Sequence, residues 1–134
     1  PGVSYVYLIY GMYHCFNIVT REEGVPQAVL IRAVEPINEL DFVAQNRFNK
    51  TYQNLKKSEI IGLTNGPGKI CNALAIDKSL NGEDLCGNKL YVEEGEENGF
   101  KTVSAKRVGI DYAEEAKDYL WRYYIQDNKY VSVI

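Results

Sequence analysis

The sequence predicts an α+β fold: one compact domain with a mostly antiparallel, curved β-sheet, a protruding β-hairpin and a few short packed helices. Three observations lead there. β-branched and aromatic residues crowd residues 3–9, 14–19 and 28–34. Helix-entry signals stand at Asn38 and at Gly66-Pro67-Gly68. Strand and helix signals do not alternate as βαβ units would, and no repeat or linker divides residues 1–134.

The elements follow in order. In the strand at residues 3–9, Tyr5, Tyr7 and Ile9 share one face and Ser4, Val6 and Leu8 the other. Residues 10–13 form the turn, where Gly11 supplies backbone freedom, and residues 14–19 return. The apolar run AVLIRAV at residues 28–34 predicts a central strand beside the hairpin, ended by Pro36. Asn38 is the expected N-cap of a helix over residues 39–48. Residues 49–59 are polar and without periodicity, which predicts a mobile connection. Pro67 suits a first helical position, and Ile70, Ala73 and Leu74 give that helix a buried stripe ending near Ile76. Residues 81–87 are turn-rich, and strands are expected at residues 89–92 and 102–108. A short helix at residues 112–120 precedes two strands, residues 122–125 and 130–133, around an Asp127-Asn128 turn.

Composition bounds the function classes. The net charge of −3 argues at first against a nucleic-acid partner. Six acids (Glu83, Asp84, Glu93, Glu94, Glu96, Glu97) lie in residues 83–97 beside one base, Lys89, and the remainder holds 12 acids and 14 bases. A nucleic-acid partner therefore stays open, with this acidic stretch expected to face away from it. Tyrosine is in excess, 11 against 4 Phe and 1 Trp, and suits half-wet clefts as well as a small core. Cys15, Cys71 and Cys86 are odd in number and scattered, which disfavours a disulfide framework or a zinc site and suits a reducing compartment. No apolar run is long enough to span a membrane, and no signal peptide is visible. The chain opens at Pro1-Gly2 without an initiator Met, so a missing amino-terminal portion is expected.

Several residues could carry chemistry. Gly66-Pro67-Gly68-Lys69 could hold a phosphate at a helix start or be a plain helix-entry turn; it lacks the Walker spacing. His14, the only histidine, has no partner in sequence that would make a metal site or a triad. Arg32 interrupts an apolar run, and a guanidinium there needs an anion. That anion is either a bound phosphate or carboxylate, or an internal acid such as Glu35. In the hairpin, Tyr10 stands at the tip beside Gly11. It fills a core, or it enters the gap that an enzyme leaves on extruding a base from a duplex.

YVYLIYGMYHCFNI at residues 5–18 resembles the hairpin of the alkyladenine (3-methyladenine) DNA glycosylase family. The likeness continues in order through VLIRAVEP at residues 29–36, GPGKICNALAI at 66–76, RVGI at 107–110 and WRYYIQDNKYVSV at 121–133. The resemblance implies a DNA-repair enzyme of one compact α/β domain, acting as a monomer on double-stranded DNA. It would excise 3-methyladenine, 7-methylguanine, hypoxanthine or ethenoadenine, without metal or cofactor, and leave an abasic site. It implies a bacterial cytoplasm or a eukaryotic nucleus. By motif, Tyr10 would be the wedge, Tyr7 would stack on the flipped base and Asn17 would crowd a guanine amine. Arg32 would help place the attacking water and a phosphate, and Met12, Tyr13 and Lys69 would contact the duplex. The family's general base is a glutamate in an upstream Glu-x-Glu-Ala-Tyr-like segment that no Glu here matches. Residues 1–134 alone are therefore expected to be inactive or nearly so. The other readings are a non-catalytic nucleic-acid-binding module and a structural domain.

Overall fold

The structure, a computed structural model, describes residues 1–9, 11–95, 99–108 and 119–133. The chain divides into two units, Pro1–Glu94 and Gly95–Ile134. Antiparallel sheets with a few short helices make the class α+β, as the sequence predicts.

In the first unit, β1 (Ser4–Ile9) and β2 (Tyr13–Val19) form the expected hairpin, in register from Ser4 opposite Ile18 to Ile9 opposite Tyr13. Gly11, at φ 71°, makes the left-handed turn that a residue with a Cβ would resist. Ser4 and Val6 are buried and Tyr5 is exposed, so β1 alternates as expected, although Leu8 at its outer end is exposed as well. β3 (Ala28–Leu30) pairs antiparallel with the other side of β2. The expected central strand at residues 28–34 is thus a three-residue edge strand, and β2 is central. The apolar run was misleading because only its end packs: Val29 is exposed, while Ile31 joins the core. Past Leu30 the backbone satisfies itself elsewhere, with Ile31 N–H donating to Phe16 (3.0 Å) and Val34 N–H to Thr64 (3.1 Å).

The free side of β1 is covered by the turn-rich segment that the sequence marks after residue 80. Asn81 Oδ1 accepts from Val6 N–H (2.8 Å), Glu83 from Ser4 N–H (2.9 Å), and Gly82 N–H donates to Ser4 (2.8 Å). An otherwise open strand edge is closed in this way.

Helix α1 (Leu40–Phe48) starts from Glu39, which takes the left-handed conformation, so Asn38 is not its cap. The connection expected to be mobile carries a 3-10 turn at Tyr52–Asn54 and a one-turn helix, α2 (Lys57–Ile61). Elements this short have no period to read. They are tied down by Asp41 Oδ1, which accepts from Tyr52 N–H (2.8 Å), and by Glu59, which accepts from Lys56 N–H (2.9 Å) and meets the Lys50 ammonium (3.2 Å).

Helix α3 (Pro67–Leu74) begins at proline as expected, but ends two residues early because Ala75 turns left-handed at φ 56°. Its buried residues are Ile70, Cys71 and Ala73, while Leu74 is exposed. Cys71 packs with Val6, Phe16, Ile76 and Leu85 in one cluster, and Ala73 with Val43 and Leu63 in a second. Burying Leu63 and Ile70 contributes about 2–3 kcal/mol each.

In the second unit, β4 (Thr102–Ala105) pairs antiparallel with β5 (Arg122–Ile125), Thr102 opposite Ile125. The strands expected at residues 89–92 and 130–133 do not form. β5 finds its partner in β4, which is shorter than the expected 102–108. Asp127, at φ 63°, makes the expected turn, but Arg122 Nη1 donates to the Val133 carbonyl (2.6 Å) where a ladder was expected. Most of the helix expected at residues 112–120 lies outside the described residues. Among the described residues no helix is long and apolar enough to cross a membrane.

Candidate functional site

Antiparallel register sets the first group. Tyr5 lies opposite Asn17 and Tyr7 opposite Cys15, and side chains directly opposite share a face. The Tyr5 and Tyr7 ring centroids are 5.2 Å apart with planes tilted 37°. Asn17, only 7% exposed, donates through Nδ2 to the Tyr5 carbonyl at 3.3 Å, which orients its amide. Burial raises the Tyr7 hydroxyl above its ordinary pKa, Cys15 and Tyr5 push the same way, and an amide hydrogen bond from Asn17 opposes them. Tyr7 is therefore a neutral phenol at neutral pH, with a π-face and a hydroxyl held beside an oriented amide.

Arg32 stands two residues beyond Leu30, which pairs with Asn17. It lies in irregular backbone, not in the strand that the apolar run suggested. It is half-buried and, like Glu35, engaged by a partner. Tyr10 lies outside the described residues.

The second group lines an open cleft of about 570 Å³ between the hairpin and helices α1 and α3. Met12, Tyr13 and Lys69 meet there with His14, Arg47 and Asp77. Met12 is 68% exposed and Tyr13 half-exposed. The GPGK turn explains the approach: Gly68 has no side chain to keep Tyr13 off the helix, and Lys69 Nζ bonds Asn65 Oδ1 at 2.8 Å. The Asp77 carboxylate is occupied by the Ser79 N–H (2.9 Å) and hydroxyl (2.6 Å), which hold its pKa down.

Arg47 was not anticipated from sequence. Its only signal was a basic residue near the end of an expected helix, where it could equally have been a solvated end charge. Its Nε donates to the Leu63 carbonyl (2.8 Å), Nη2 to Gly62 (2.9 Å) and Nη1 to Asn72 Oδ1 (3.3 Å). Among the described residues its partners are neutral oxygens, so its charge is not cancelled by a carboxylate. Two cations and exposed aromatic and thioether side chains suit an anionic polymer with flat edges. None of the described acids Glu83, Asp84, Glu93 and Glu94 lines this cleft. Among the described residues no three His, Cys, Asp or Glu side chains group as metal ligands.

The site thus joins paired tyrosines and an oriented amide on one hairpin face to a cleft lined by two cations, Lys69 and Arg47, and one carboxylate, Asp77. The family model for methylpurine-DNA glycosylase (MPG) matches residues 1–129, and the chain belongs to that family. It is 68% identical over 133 residues to a protein of Desulfitobacterium hafniense (strain Y51) named "Putative 3-methyladenine DNA glycosylase", covering 99% of this chain and 66% of the relative. Proteins of the same name from Clostridium acetobutylicum (54% identical; 99% of this chain, 65% of the relative) and Alkaliphilus oremlandii (54%; 98% and 65%) are also similar. The chain thus spans about two thirds of the length of the curated relatives it matches.

Proposed function

We propose that this chain is the base-handling part of a DNA-repair enzyme that hydrolyses the N-glycosidic bond of alkylated or deaminated purines in duplex DNA. The substrates are 3-methyladenine, 7-methylguanine, hypoxanthine and ethenoadenine, and the product is an abasic site in an uncut strand. The observation that carries this reading, besides family membership, is Tyr7 beside Asn17 on one hairpin face.

The chemistry follows from those residues. Tyr10 enters the stack and replaces the extruded nucleotide. Tyr7 stacks on the flipped base, contributing about 1–3 kcal/mol, and its π-face favours cationic alkylpurines. Asn17 crowds the exocyclic amine of guanine and so helps to reject it. Arg32 places the attacking water and a neighbouring phosphate. Met12, Tyr13 and Lys69 grip the duplex along the cleft, and Arg47 adds charge to it. The protein works as a monomer and, since the relatives named above are bacterial, in a bacterial cytoplasm.

The test is a duplex with one hypoxanthine, incubated with the full-length protein and then treated with alkali. Scission at the lesion only after alkali is expected, and its loss in Tyr7→Ala. No scission, or scission without alkali, overturns the reading. Residues 1–134 alone should bind the duplex without excising the base; robust excision by them would place the general base within this chain.

A further inference from the structure

The stretch that carries Arg32 has no regular secondary structure, yet it is pinned at two points. Before Arg32, Ile31 N–H donates to the Phe16 carbonyl of β2 at 3.0 Å. After it, Val34 is gripped twice by one residue: the Thr64 hydroxyl donates to the Val34 carbonyl at 2.6 Å, and Val34 N–H donates to the Thr64 carbonyl at 3.1 Å. Only Arg32 and Ala33 lie between the pins.

Thr64 is itself immobilised. It is fully buried, at 0% exposure, next to the equally buried Leu63 of the second core cluster. On its other side Arg47 holds the Gly62 and Leu63 carbonyls at 2.9 and 2.8 Å. A threonine hydroxyl at zero exposure is costly to bury unless its bond is made, and here the bond goes to the Arg32 segment. Ordinary turn closure between α2 and α3 would not need it.

We infer that Thr64 is a positioning residue that fixes the Arg32 segment to the helical core and so sets where the Arg32 side chain reaches. This rests on the role given to Arg32 above. Thr64 touches no substrate. Its effect passes through Val34, so loss of the hydroxyl removes one of the two bonds and loosens the Arg32 segment while the fold stands. Small displacements of a positioning group cost roughly 10- to 100-fold in rate.

The test uses the full-length protein and the isosteric Thr64→Val, with Thr64→Ser as the variant that keeps the hydroxyl. Thr64→Val is expected to move the Arg32 side-chain N–H resonance in NMR spectra. It should also slow single-turnover hypoxanthine excision roughly 10- to 100-fold while weakening duplex affinity far less. Thr64→Ser should restore both, and Thr64→Val should add little in an Arg32→Ala background. An unmoved resonance, no recovery in Thr64→Ser, or an undiminished loss in the Arg32→Ala background overturns the inference. Full activity in Arg32→Ala overturns instead the role of Arg32, and the resonance still decides whether Thr64 places that side chain. Should Thr64→Val not fold, the hydroxyl proton of Thr64 in the unaltered protein decides: it must exchange slowly enough to be seen in NMR spectra, and exchange as fast as that of an exposed hydroxyl overturns the clamp.

Discussion

Tyr13 rests on Gly68 so closely that a Cβ at Gly68 would stand 3.1–3.3 Å from the Cδ1, Cβ and Cγ atoms of Tyr13. That contact seats the hairpin on the start of α3. Alanine is the better helix former by up to about 1 kcal/mol and the half-exposed Tyr13 ring can swing aside, but the Tyr13 Cβ moves only with the β2 backbone. Gly68→Ala should therefore lower the urea midpoint only slightly, the helix gain offsetting part of the shift that β2 must make. It should weaken lesion-duplex binding several-fold, read by fluorescence anisotropy. A large loss of stability would show that Tyr13 cannot yield.

Arg47 joins α1 to the Gly62 and Leu63 carbonyls between α2 and α3, and to the Asn72 side chain of α3. Arg47→Ala would strip two carbonyls of a charged donor and should cost about 2–4 kcal/mol in urea unfolding. Arg47→Lys should recover little, because an ammonium cannot serve three divergent acceptors. Near wild-type stability in the lysine variant would contradict this account.

Asn17→Ala removes the amide that faces Tyr7. The expected stability loss is about 1–2 kcal/mol, since the 3.3 Å hydrogen bond to the Tyr5 carbonyl and the bond to the Tyr7 hydroxyl are both lost. The larger effect should be on selectivity. Release of undamaged guanine relative to hypoxanthine should rise about tenfold, measured by chromatography of the freed bases. An unchanged ratio would remove Asn17 from discrimination.

The thiols should separate by environment. Burial, and then Cys15, push the Cys71 thiol up to about 11. Raised in the folded state from about 9, it contributes stability that is whole below pH 9 and lost as pH rises through 11. Tyr7, also raised, acts in the same direction above pH 10. Urea midpoints should be flat from pH 7 to 9 and then fall, and the fall should be shallower in Cys71→Ala. At pH 8 a disulfide thiol reagent should label the exposed Cys86 quickly and the buried Cys15 and Cys71 only after denaturation.

Local chemistry made much of this fold legible. Gly11 marked the hairpin turn, Pro67 the start of α3 and Asp127 the last turn, because each position needs a particular backbone angle. Tyr7 and Asn17 are pocket candidates by resemblance, and the register puts them on one hairpin face. Three things were not legible. Residues 28–34 read as a central strand because apolar sequence does not say which neighbour will cover it. α2 is a single turn, held by Glu59 and Lys50 from nine residues apart. Thr64 and Arg47 act on backbone atoms distant in sequence, and no side-chain pattern encodes a carbonyl as partner.

Helix α3 contributes Cys71 to the cluster under the hairpin and Ala73 to the cluster under α1. One short helix is thus a shared wall. Neither cluster can open without exposing that wall, so the strands that present Tyr7 and the helices that present Arg47 should melt in a single cooperative transition. On the proposed function, a duplex pressed against Tyr7 would meet strands braced from behind by that wall.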